Sequence, residues 1–164
     1  MMAPLLVLGW GNPSRGDDAL GPLLVEALAS DAAQSLPAGT LDCLTDYQLQ
    51  VEHALDLVGR ERVLFVDAAV GLDAPFEARP VQPQRDRHFS SHALSPQALL
   101  QVFVDLQRCA PPECTVLAIR GRRWALGEAP DAQACADLEQ ALAWARGWLR
   151  GAPHCRMHTE GVNA

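Results

Sequence analysis

Two uninterrupted apolar runs constrain this chain more than any other feature. Residues 4–9 (PLLVLG) and 63–67 (VLFVD) carry no polar side chain except the closing Asp67. A strand with one wet face alternates apolar and polar residues. A strand that reads apolar throughout is covered on both faces, as in a parallel sheet between helices. The intervening segments fit that arrangement. A helix from about Asp18 would place Leu20, Leu23, Leu24, Ala27 and Leu28 on one stripe, with Pro22 tolerated in its first turn. Residues 40–44 predict a second strand, and a short helix around 48–58 ends at Gly59. Residues 76–81, hemmed by Pro75 and Pro80, predict an edge strand. Ser95 and Pro96 supply the cap and first position of a helix carrying Leu99, Val102, Phe103 and Leu106. A fifth strand at 115–119 precedes a last helix over 131–150, which stops at Gly151. The expectation is one α/β domain over residues 1–151, followed by a mobile tail at 152–164. Its core would be an open, twisted, mostly parallel sheet of about five strands with helices on both faces.

Composition removes several function classes. The 164 residues carry a formal charge of −7, against the clustered positive charge that a nucleic-acid binder needs. All 13 basic residues are arginine, so Schiff-base and P-loop lysine chemistry is excluded. The longest apolar run near the N-terminus is far short of the roughly 20 residues that span a bilayer, and no basic region precedes it. No membrane partner is expected. The five cysteines (Cys43, Cys109, Cys114, Cys135 and Cys155) are odd in number and never in CxxC spacing. That pattern predicts reduced thiols in a cytoplasmic protein, acting as small buried hydrophobes.

In open α/β sheets, chemistry collects beyond the carboxyl ends of the strands. Three segments land there: the loop GWGNPSRGDDALG over residues 9–21, Asp67, and the polar loop 82–94. The first suggests a dinucleotide fingerprint, but Ser14 stands at the third glycine position and two aspartates face the would-be pyrophosphate. A single Asp at a helix start is explained as an N-cap. The second leaves a carboxylate to spare as ligand or base, and the segment alone supports either reading. Asp67 at the end of an apolar strand would be partly desolvated, or would cap the turn through Ala68 and Ala69. If strands one and three are neighbours, Asp67 lies near Asp17 and Asp18.

Among the histidines, His53 falls on a helix and reads as surface or half-buried. His154 and His158 flank Cys155 in the tail, and His88 and His92 occupy the polar loop. Asp18, Asp67 and one loop histidine form an O,O,N set suited to a borderline divalent metal with open coordination positions.

At this point a family resemblance enters. GWGNPSRGDDALG resembles the GxGNxxxxDDxxG signature of the [NiFe]-hydrogenase maturation endopeptidases, VLFVDAA resembles their second motif, and SSHALSP their third. The three occur in order, and the resemblance covers most of residues 4–150. It implies that Asp18, Asp67 and His92 are the catalytic and metal-contacting residues. It also implies that the metal is nickel already held by the substrate, the large-subunit precursor, whose C-terminal extension is removed. His88 lies four residues from the favoured His92. Tyr47, Gln48 and Leu49 resemble the branch serving cytoplasmic NAD-reducing hydrogenases. No HExxH or GxSxG pattern competes with this reading. A non-cleaving nickel-sensing chaperone could use the same three residues. A nucleotide-binding α/β protein could use the Gly9/Gly11 turn, though the two aspartates oppose it.

Overall fold

The computed structural model describes residues 2–85 and 94–151. Its strands are β1 (Leu5–Trp10), β2 (Leu41–Asp46), β3 (Arg62–Ala69), β4 (Phe76–Pro80) and β5 (Glu113–Arg120). Its helices are α1 (Leu20–Ser35), α2 (His53–Asp56), α3 (Pro96–Gln107) and α4 (Ala132–Leu149). The strands form one sheet in the order β2-β1-β3-β5-β4. All pairs are parallel except β4 with β5; the proline-flanked strand lies at the edge, as its sequence predicts, and runs antiparallel to its neighbour.

The apolar runs become the central strands. Leu5 and Val7 of β1, Leu64 and Val66 of β3, and Leu117 and Ile119 of β5 face α1 and α4. The alternate residues Leu6, Leu8, Val63 and Phe65 face the opposite layer, with Leu57, Leu99, Leu100 and Phe103. Each fully buried Leu or Phe there contributes roughly 1.5–3 kcal/mol through its removal from water. Layers on both faces explain why β1 and β3 show no polar alternation. Among the described residues, no helix is long and apolar enough to cross a membrane.

Four local expectations are corrected. The first helix begins at Leu20, because residues Gly16–Ala19 form a separate 3-10 turn. The second is shorter than expected, His53–Asp56, and the chain around it closes through i→i+3 bonds such as Ala54 N–H to Val51 O (3.1 Å). β3 runs two residues past Asp67, so Asp67 sits within a strand rather than at its end. Among the described residues only Cys114 is a fully buried cysteine; Cys43 is half-buried and Cys109 and Cys135 are exposed. Cys155 and the tail 152–164 lie outside the described residues.

Candidate active site

The parallel strands β2, β1, β3 and β5 present their carboxyl ends along one edge of the sheet. There the register aligns Trp10 with Asp46, Gly9 with Val66, and Asp67 with Ala118. Asp67 therefore lies one position beyond the last paired residue of β1, on the side that Phe65 and Trp10 share. Trp10 and Phe65 meet edge to face at 6.1 Å between centroids.

After β1 the chain turns sharply. Gly11, at φ +143°, donates its N–H to the Asp46 carbonyl at 3.0 Å. A Cβ at Gly11 would stand 1.9 Å from the Asp18 carbonyl oxygen, so only glycine lets the loop fold back over itself. Asn12 accepts the Ser14 N–H at 2.9 Å and donates its own N–H to Asp18 Oδ2 at 2.7 Å. The Asp18 side chain is thereby held over the strand end, half-buried.

Asp67 is half-buried too, and its Oδ1 accepts the Ala68 N–H at 2.8 Å. Burial pushes its carboxyl up to about 7, and the nearby Asp18 charge adds to that rise. The Ala68 N–H and the Trp10 indole act in the opposite direction. A carboxyl so placed changes charge near neutral pH, which suits it to accepting or returning a proton.

The second aspartate of the pair goes elsewhere. Asp17 is 1% exposed, and its Oδ2 accepts the N–H groups of Arg122 (2.8 Å) and Arg123 (3.1 Å). Neither aspartate caps the helix, since α1 and the 3-10 turn have no side-chain cap bond among the described residues. Both are used by loops instead. His53 is engaged at the end of β2: Gln50 N–H donates to its Nδ1 at 2.9 Å, and its Nε2 faces Asp46 Oδ2 at 3.3 Å. That pattern places its proton on Nε2.

The structure thus brings Asp18 and Asp67 together and leaves Asp17 and His53 in other partnerships. His88 and His92 lie outside the described residues, as do His154 and His158. Among the described residues no cluster of three or more His, Cys, Asp or Glu could hold a metal. A feature missed by sequence reasoning is Asp137 of α4, fully buried, which takes the Arg120 guanidinium through two 3.0 Å bonds and Arg122 at 3.3 Å. Its position between Ala134 and Ala141 on the helix's apolar stripe was the available signal, because a charge on a core face requires a partner.

No protein-family model matches this chain, and neither does any curated protein. Solved structures do match. The hydrogenase maturating endopeptidase HybD from E. coli is 24% identical with a TM-score of 0.71, the alignment covering 93% of this chain and 94% of that one. The [NiFe] hydrogenase maturation protease HycI from Thermococcus kodakarensis KOD1 is 19% identical with a TM-score of 0.67, covering 90% and 93%. A hydrogenase 2 maturation peptidase from Thaumarchaeota archaeon SCGC_AB-539-E09 is 22% identical with a TM-score of 0.63, covering 91% and 99%. At these identities the likeness establishes a common fold over nearly the whole chain.

Proposed function

We propose that this chain is an endopeptidase that removes a C-terminal extension from the nickel-loaded large-subunit precursor of a [NiFe]-hydrogenase. The observation that carries the reading is the pairing of half-buried Asp67 with Asp18 at the carboxyl edge of β3 and β1. It is supported by a fold shared with solved hydrogenase maturation endopeptidases. His92 completes the proposed set.

Nickel enters with the substrate and supplies Lewis acidity for a carbonyl or a water. Two carboxylates and an imidazole suit a borderline divalent ion. Asp18 is pre-oriented by Asn12, so its carboxylate need not reorganise on docking. Asp67 can hold or release a proton near neutrality. Docking the precursor places the scissile peptide against these groups and removes much of the entropic barrier. An apo-precursor lacks the ion that Asp18, Asp67 and His92 recognise and stays uncut. We place this processing step in the cytoplasm.

The test is intact-mass spectrometry of a purified large-subunit precursor incubated with this protein, with and without nickel. Loss of a discrete C-terminal peptide only from the nickel-loaded sample is the expected result. A stable complex without any mass change would replace the peptidase with a non-cleaving chaperone.

A further inference from the structure

Asp17 has no part in the chemistry just described, yet it is nearly inaccessible and tightly bonded. Residues 14–17, which lead into the turn and include Asp17, are fastened to the loop between β5 and α4. Gly127 N–H donates to Ser14 O (2.7 Å), Gly16 N–H to Glu128 O (2.9 Å), and Asp17 N–H to Arg123 O (2.7 Å). The Arg15 guanidinium donates to Trp124 O at 3.0 Å. A Cβ at Gly16 would lie 2.4 Å from the Arg123 carbonyl oxygen, so the two backbones touch. The Asp17 carboxylate then closes the contact by taking the Arg122 and Arg123 N–H groups with one oxygen. The loop is itself anchored, since Arg120 and Arg122 are held by buried Asp137 of α4.

We propose that Asp17 is a positioning residue for the peptidase site: it clamps the β5–α4 loop to the 3-10 turn and so fixes where Asp18 presents its carboxylate. Consecutive residues of a 3-10 turn diverge by about 120° around its axis, so the two carboxylates serve opposite sides. Asp17 grips the β5 side, while Asp18 meets Asn12 on the β1 side. With one end of the short turn released, the other end loses its fixed direction. The inference rests on the proposed function and adds a residue to its machinery.

Two variants and two readouts test it. Asp17→Ala removes the acceptor. Asp17→Asn keeps one oxygen for both amides and puts its NH2 where Oδ1 has no hydrogen-bond partner among the described residues. Asp17→Ala is expected to lower kcat by about 10- to 100-fold with KM little changed, the size of effect a small misplacement of a reacting group produces. It should also accelerate amide exchange at Arg122, Arg123 and, through Asp18, at Asn12. Asp17→Asn is expected to restore kcat to within about threefold and to restore protection at all three amides, because a neutral acceptor still makes both bonds. A loss of activity in Asp17→Ala that matches only the fraction unfolded would overturn the proposal. So would an Asp17→Asn variant as inactive as Asp17→Ala, since charge rather than clamping would then matter. If the wild-type protein cuts no precursor, the peptidase reading fails, and the Asn12 amide alone decides the clamp. Unchanged protection there in Asp17→Ala sinks it.

Discussion

Asp18 lies near enough to Asp67, at the carboxyl edge of the sheet, for its charge to add to burial in raising the Asp67 carboxyl to about 7. Because the folded protein retains on Asp67 a proton that the unfolded chain has released, this one group's contribution to stability is most favourable at acid pH. It declines as pH rises from the ordinary aspartate range through about 7. The full penalty is roughly 4 kcal/mol before relaxation and counter-ions reduce it. Asp67→Asn should flatten that decline in urea unfolding curves collected from pH 5 to 8, and should abolish cleavage. Trp10→Phe, which removes the indole N–H, should move the wild-type transition to still higher pH when the Asp67 carboxyl carbon is followed by NMR.

His92→Ala is expected to abolish cleavage of the nickel-loaded precursor, whereas His88→Ala should be mild. Mass spectrometry of the two reactions side by side checks the assignment, and reversed effects would exchange the two residues.

Asp137 is buried among apolar neighbours, and burial alone would raise its carboxyl. The Arg120 fork more than offsets this and holds it below the ordinary range. Asp137→Ala leaves Arg120 and Arg122 without their carboxylate, and the melting temperature should fall by roughly 5–15 °C. Calorimetry measures this directly. A shift within about 2 °C, the range typical of a surface pair, would show that the arginines find water instead.

A Cβ at Gly21 would stand 2.6 Å from the Trp10 carbonyl oxygen and 3.0 Å from that of Val66. Both are backbone atoms and cannot rotate aside. Gly21→Ala should cost about 1–3 kcal/mol by overpacking, despite the better helix propensity of alanine. Chemical denaturation gives the value, and an unchanged midpoint would refute the close approach.

The layered sheet was legible because β1 and β3 are written as unbroken apolar runs, a strictly local signal. The edge position of β4 was legible from its two prolines. The placement of β5 between β3 and β4 was not, since nothing in residues 76–81 states which strand they will pair with. Asp18 and Asp67 could be named from sequence, and their proximity followed once β1 and β3 proved adjacent. The task of Asp17 could not, because the amides it serves lie more than a hundred residues away in the chain. Asp at the start of a helix reads as a cap, and only the tertiary fold shows the cap unused.

The contact at Gly21 has one further consequence. At Gly21, α1 rests directly on the Trp10 and Val66 peptide groups of β1 and β3. Side chains hop between rotamers on fast timescales, but peptide planes in regular structure hardly move. The spacing of the backbones that carry Asp18 and Asp67 is therefore gauged by the stiffest parts of the molecule, and warming should loosen the surrounding surface well before it blurs that spacing.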